Sequence, residues 1–174
     1  MTLSDLLKHV IVGDLIGCVG ANSERRALNN PGTVFALAVM SHAVMDVSEP
    51  DYTVNWFNAM ALKEAAPFLG IQSVGIGFVL ATFVRNTQDN PRAFWLRLTG
   101  IVGAVIPDVI DGVYAVLNPQ AWYAGRMLLP WHTLTWQVNV MSMWSTSLLS
   151  VILLGARYLT LPILARLRRR VETE

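Results

Sequence analysis

Long apolar segments separated by short polar connections constrain this chain more than any other feature of its sequence. The apolar segments cover approximately residues 3–19, 33–47, 68–85, 91–117 and 132–154. Proline, glycine or asparagine stands at most of their boundaries, which is where helices begin and end. Each segment is long enough to form a helix, and the longest exceed the ~20 residues that cross a bilayer. The pattern therefore predicts an all-α chain of about five helices.

The scarcity of charge indicates which solvent surrounds these helices. The sequence is 53% hydrophobic and only 14% charged, whereas about a quarter of the residues in a soluble domain are charged. Too few charged side chains are present to cover five helices with a water-facing shell. We therefore expect an integral membrane bundle, with residues 1–174 forming a single helical membrane domain and membrane lipid as its surroundings.

Net charge and cysteine content exclude several other classes of protein. A net charge of +1 does not provide the basic stripe that a nucleic-acid-binding protein needs, so we expect no nucleic-acid partner. The single cysteine, Cys18, excludes an intramolecular disulfide framework and any zinc site built from several cysteines.

The distribution of basic residues predicts an orientation. Most of the 13 lysines and arginines fall on one side of the predicted bundle, and only Lys8, Lys63 and Arg126 fall on the other. Cytoplasmic loops are rich in lysine and arginine, so the N-terminus is predicted to lie outside and the C-terminus in the cytoplasm. For a compact chain with short loops, a bacterial inner membrane is the expected location.

Histidines and aspartates inside the apolar segments are the main candidates for function. His42 and Asp46 are four residues apart, and Asp108 and Asp111 are three apart directly after Pro107. Both spacings place the paired side chains on one face of a helix. Ionisable groups in a membrane segment are costly and require a partner or a function.

Two further histidines extend this set. His9 lies in the first segment and His132 begins the last one. In the predicted topology all three histidines and the acids lie toward the outer side of the bundle. Imidazoles and carboxylates without thiolates are typical of a divalent metal site, with zinc expected first and manganese or iron as alternatives. The predicted ligands are His9, His42, Asp46, Asp108, Asp111 and His132.

Each pair also has a purely structural interpretation. His42 and Asp46 would equally suit an interhelix hydrogen bond, and Asp108 could cap the second half of a helix broken at Pro107. His132 beside Trp131 would suit the membrane interface. The occurrence of all these residues on one predicted side favours the metal site, with Asp108 and Asp111 as the catalytic candidates, acting as general base or as orienting carboxylate.

Short motifs around these residues resemble those of predicted membrane-bound, metal-dependent hydrolases, which are distantly similar in motif to zinc-dependent phospholipase C. Ser41 to Asp46 resembles the pattern S-H-x-x-x-D, and Ile106 to Asp111 is similar to L-P-D-x-D. His132-Thr133 is similar to T-H-S. The resemblance implies a metal-dependent hydrolase in a helical membrane protein.

From these observations we expect hydrolysis of a phosphoester or acyl bond in an amphiphilic, lipid-like substrate. Two alternatives remain open. The intramembrane acids would suit a proton-coupled transporter, and a non-enzymatic membrane scaffold would require none of them. The sequence does not specify an oligomeric state.

Overall fold

Six α-helices and one π-helical turn make up the regular structure of the part of the chain described by the computed structural model, which comprises residues 6–48, 59–124, 127–130 and 140–160. No strand occurs in these ranges. The all-α class is therefore confirmed, with six α-helices where the sequence predicted about five. The elements are α1 (Leu6–Asn22), α2 (Pro31–Ser48), α3 (Ala59–Thr87), α4 (Pro91–Leu117), α5 (Pro119–Tyr123), α6 (Val140–Gly155) and the π-helical turn Ala156–Thr160.

Proline and asparagine define the start of α4 as the sequence predicted. The Asn90 side chain accepts a hydrogen bond from the backbone N–H of Ala93 at 3.0 Å, and Pro91 occupies the first turn. Proline suits this position because the first N–H groups of a helix have no intrahelical acceptor. The predicted bounds of this helix, 91–117, are confirmed.

Helix α3 is longer than predicted. The sequence placed its start after Pro67, but the helix begins at Ala59 and contains Pro67. Residues 59–66 read AMALKEAA, a run of strong helix formers that continues the helix on the N-terminal side of the proline. An interior proline removes one backbone hydrogen bond without ending every helix that contains it.

The remaining differences lie near the C-terminus. The predicted connection 118–131 contains the short helix α5, and α6 is described from Val140 onward. The predicted start of the last helix at His132 lies outside the described residues.

Helix α1 lies at the centre of the bundle and contacts α2, α3, α4 and α6. Its most extensive packing is with α4. The shared core consists of apolar side chains from α1, α3 and α4: Leu7, Val10, Ile11, Val79, Phe83 and Ile101. Gly13 and Gly17 face Gly100 so closely that an added Cβ would meet backbone atoms of α4. Small residues therefore allow the backbones of α1 and α4 to touch, as the glycine spacing predicts.

The bundle places charged groups inside and large apolar groups outside. Lys8 is 1% exposed and Asp14 is fully buried, whereas Val74 is 75% and Val116 is 80% exposed. Two helical segments, Ala66–Thr87 and Pro91–Leu117, are long and apolar enough to cross a membrane. Core helices of soluble proteins also pass this test, so it supports a membrane location only weakly.

The structure changes two assumptions of the charge count. Lys8 and Arg97 were assigned to the surfaces at the two ends of the bundle, but both side chains are buried within it. Neither contributes to the charge of a loop, because each lies inside a helix against other helices. The predicted orientation therefore rests on the remaining basic residues and stays a prediction.

Candidate metal centre

Two histidines and two aspartates from three helices meet in the interior of the bundle. His9 comes from α1, His42 and Asp46 from α2, and Asp108 from α4. His42 Nε2 lies 2.7 Å from one oxygen of Asp46, and His9 Nε2 lies 3.2 Å from the other. His42 Nε2 is also 3.9 Å from Asp108 Oδ1. The Asp46 carboxylate thus bridges two imidazoles beside a second carboxylate.

Close backbone packing brings these side chains together. An added Cβ on Gly13 would lie 2.5 Å from the carbonyl oxygen of Gly100. An added Cβ on Gly103 would lie 2.8 Å from the carbonyl oxygen of Phe35. The first contact joins α1 to α4 near His9, and the second joins α2 to α4. Because side chains larger than hydrogen would separate the helices at both points, the glycines determine the distance between the polar groups.

His42 is held in one orientation by a backbone carbonyl. Its Nδ1 lies 2.6 Å from the carbonyl oxygen of Ala104 in α4. A carbonyl only accepts hydrogen bonds, so this contact assigns the proton to Nδ1 and directs the lone pair of Nε2 toward the carboxylates. Metal-binding histidines commonly donate their second ring nitrogen in this way.

The short contact between His42 Nε2 and Asp46 then requires a proton or a cation between the two atoms. With the proton on Nδ1, a neutral imidazole presents a lone pair at Nε2, and the ionised carboxylate 2.7 Å away presents another. Two acceptors at this distance repel each other unless a proton or a cation lies between them. The site therefore suits either a proton shared between His42 and Asp46 or a bound metal ion.

His9 completes the group. Its ring stacks on that of His42 with centroids 4.0 Å apart and an interplanar angle of 27°. His9 Nδ1 is buried and has no hydrogen-bond partner in the part of the chain that the structure describes. An unpartnered polar atom in the interior costs free energy, so the site has ligand capacity that hydrogen bonding within the protein does not use.

Buried ligand atoms of His9, His42 and Asp108 all lie within 4.8 Å of one another. This group could hold a metal ion. The three residues would hold such an ion only after the side chains move closer together, because the separations of up to 4.8 Å exceed the ~3.3 Å expected between donors to one zinc ion. Asp46 already contacts both imidazoles and is positioned as a further ligand or as a proton acceptor.

The other two predicted ligands are placed differently. Asp111 lies outside the group of three, and its Oδ1 accepts hydrogen bonds from the backbone N–H groups of Leu128 and Leu129 at 2.9 and 3.1 Å. These contacts tie the segment 127–130 to α4. His132 lies outside the described residues. Metal binding by either residue stays a prediction.

Sequence reasoning missed a second buried polar cluster. Asp14, which received no role, contacts Arg97 and Tyr158, with Arg157 close by. The signal was present in the sequence, because an aspartate within an apolar helix needs a partner. Arg97 also stands within the apolar stretch Trp95–Leu98 and was interpreted as part of a connection.

Comparison with known proteins adds no family to this geometry. No protein-family model matches the chain, and neither a curated protein nor a solved structure is similar to it. The resemblance to metal-dependent hydrolases stays a prediction, and the arrangement of His9, His42, Asp46 and Asp108 is the main evidence on function.

Proposed function

We propose that this chain is an integral membrane enzyme that binds a divalent metal ion through His9, His42 and Asp108 and hydrolyses a phosphoester or acyl bond of an amphiphilic substrate. The observation that carries the proposal is the buried group of two imidazoles and one carboxylate from three helices. Catalytic zinc sites use three protein ligands of this kind and leave a fourth position for water.

The ligand chemistry supports a hydrolytic role. His9, His42 and Asp108 would hold a divalent ion, which would supply Lewis-acid activation of water and of a substrate oxygen. Asp46 would accept the proton from that water, because its carboxylate lies next to both histidines. Zinc fits this donor set best, and manganese or iron are the alternatives.

The distribution of polar and apolar side chains supports the membrane location. Charged groups lie between the helices, and large apolar side chains of α2, α3 and α4 face outward. Lipid would satisfy this outer surface without a charged shell. The excess of basic residues on one predicted side favours a cytoplasmic C-terminus, and a bacterial inner membrane is the proposed location.

A groove near the C-terminal end of α4 supports an amphiphilic substrate. It has a volume of about 640 Å³, and the residues that line it are Tyr114, Leu117, Asn118, Pro119, Gln120, Ala121 and Ala124. Tyr114 follows Asp108 by six residues, which corresponds to about 9 Å along a helix. An amphiphilic substrate bound in this groove would lie beside the exposed valines of α4.

A proton relay is the second candidate function. His9, Asp46 and His42 form a continuous series of contacts of 3.2 and 2.7 Å, which would allow a proton to pass between two imidazoles through the carboxylate. This arrangement favours a proton-coupled transporter if no metal binds.

Metal content distinguishes the two functions. We would measure bound metal by elemental mass spectrometry on detergent-purified protein, comparing the wild type with His42→Ala, Asp108→Asn and the exposed control Asp89→Asn. The hydrolase proposal predicts about one ion per chain in the wild type and the control, with loss in both site variants. The metal-loaded protein is then tested on chromogenic phosphodiesters and acyl esters.

Either of two results would refute the hydrolase proposal. The first is the absence of metal from wild-type protein after loading with zinc, manganese and iron(II). The second is metal retained equally in His42→Ala and Asp108→Asn. Proton flux through proteoliposomes that depends on His42 would then support the relay.

A further inference from the structure

The second buried cluster contains more positive than negative charge. Arg97 Nε lies 2.6 Å from Asp14 Oδ1, and Arg157 Nη2 lies 3.6 Å from Asp14 Oδ2. The Tyr158 hydroxyl donates to the same Oδ2 at 2.7 Å. One carboxylate thus faces two guanidinium groups. Because arginine stays protonated in proteins, the cluster carries one unmatched positive charge.

This positive charge is buried and retains unused hydrogen-bond donors. The side chains of Asp14, Arg97 and Arg157 are 0%, 5% and 14% exposed. Arg97 Nη2 and Arg157 Nε are both buried, and neither has a hydrogen-bond partner among the described residues. A buried charge without full pairing is costly, so the cluster lacks an acceptor with negative charge.

Aromatic rings orient both guanidinium groups without supplying that acceptor. Arg97 lies over the ring of Phe83 at 5.3 Å, and Arg157 lies over the ring of Tyr158 at 5.1 Å. Arg157 and Tyr158 belong to the π-helical turn Ala156–Thr160, a local widening of the helix that occurs often at functional sites. The turn brings two consecutive residues into contact with Asp14 of α1.

We propose that Arg97 and Arg157 bind the oxyanion of a phosphate group, with Asp14 holding the two guanidinium groups in position. Planar guanidinium groups match the oxygens of phosphate, and a phosphate supplies both the missing negative charge and acceptors for the two unused donors. This site uses none of the residues of the candidate metal centre.

Neighbouring charge favours the arrival of an anion at this end of the bundle. The exposed residues Arg25 and Arg26 lie on the connection between α1 and α2, and the exposed Arg92 lies in the first turn of α4. Arg97 is six residues from the start of α4, about 9 Å along the helix axis. An anionic phospholipid headgroup and free inorganic phosphate share the required chemistry, and the experiment separates them.

The test measures anion binding to the full chain in detergent. One arm follows the thermal unfolding midpoint with sodium phosphate against sodium chloride at equal ionic strength. The other arm counts bound phosphatidylglycerol and phosphatidylcholine by native mass spectrometry. The variants are Arg157→Gln, Arg157→Lys and the exposed control Arg85→Gln, which keeps the buried cluster intact.

We expect the wild type and Arg85→Gln to bind one anion per chain, either phosphate or phosphatidylglycerol, in preference to chloride or phosphatidylcholine. Loss of a charged hydrogen bond predicts binding weakened by about tenfold or more in Arg157→Gln. Arg157→Lys keeps the positive charge, so its anion affinity should lie between those of the wild type and Arg157→Gln. This variant provides the comparison if Arg157→Gln does not fold.

Response to phosphate identifies a small-anion site, and response to phosphatidylglycerol alone identifies a headgroup site. The proposal is wrong if the wild type prefers neither anion. It is also wrong if the folded Arg157 variants bind within twofold of Arg85→Gln. Metal content in these variants stays at the wild-type level, so failure here is independent of the proposed hydrolase.

Discussion

The contact between Gly13 and α4 allows the dependence of the metal centre on backbone packing to be tested with one methyl group. In Gly13→Ala the new Cβ would lie 2.5 Å from the carbonyl oxygen of Gly100 and 2.9 Å from the Cβ of Ala104. Ordinary contacts begin near 3.4 Å. The helices must therefore separate by up to about 1 Å, because overlapping backbone atoms have no rotamer with which to escape.

Moving α1 away from α4 would displace residues of the candidate metal centre. Gly13 lies one turn after His9, and Ala104 carries the carbonyl that orients His42 and precedes Asp108 by one turn. Overpacking costs about 1–3 kcal/mol, offset by up to ~1 kcal/mol for replacing glycine with alanine in a helix. Metal sites tolerate only about 0.5 Å of displacement. We expect a net loss of stability of about 1–2 kcal/mol and metal affinity reduced by at least tenfold.

Both quantities can be measured on purified protein. Unfolding is followed by circular dichroism during titration of detergent micelles with sodium dodecyl sulfate, and affinity is measured by competition with a chromogenic chelator. Gly77→Ala is the matched control, because no atom lies within 4 Å of its added Cβ. If Gly13→Ala has the same stability and the same metal affinity as Gly77→Ala, close contact between α1 and α4 does not set the geometry of the site.

Three further predictions follow from single contacts and from metal binding. Gln72→Leu removes the acceptor of the buried backbone N–H of Leu7 (3.0 Å) and should lower the free energy of unfolding by about 1–3 kcal/mol, as measured by detergent titration; an unchanged value would show that another group satisfies this N–H. Tyr158→Phe removes a hydrogen bond to Asp14 and should cost about 1.5–3 kcal/mol in the same assay, and stability equal to the wild type would contradict this. Chelation with EDTA should lower the unfolding midpoint and added zinc should restore it, because an ion that binds only the folded state stabilises it; a midpoint insensitive to both would argue against a bound metal.

Local sequence patterns predicted the helices well where a feature depends only on residues close together in the chain. Asn90 and Pro91 defined the start of α4, because a cap and a first-turn proline act within a few residues. The spacing of His42 and Asp46 correctly placed both on one face of α2, since helical periodicity alone determines this. Pro67 misled the prediction of α3, because its effect depends on the helix-forming residues before it.

The partners of the polar residues were decided by tertiary packing. His9 received the least support from the sequence, yet it lies within the group of three, because Gly13 allows α1 to approach α4. Asp111 was predicted as a ligand because it shares a helical face with Asp108, but its Oδ1 accepts hydrogen bonds from the backbone N–H groups of Leu128 and Leu129. Short motifs record which residues share a helical face, and they contain no information on which other helix that face meets.

The sequence by itself determined the all-α class, the approximate helices and the presence of histidines and aspartates that require partners, because these follow from composition and from interactions a few residues long. Only the tertiary structure decided that His9, His42, Asp46 and Asp108 meet and that Asp14 faces two arginines. Those contacts join residues of different helices, and they depend on how closely the backbones approach at Gly13, Gly100 and Gly103.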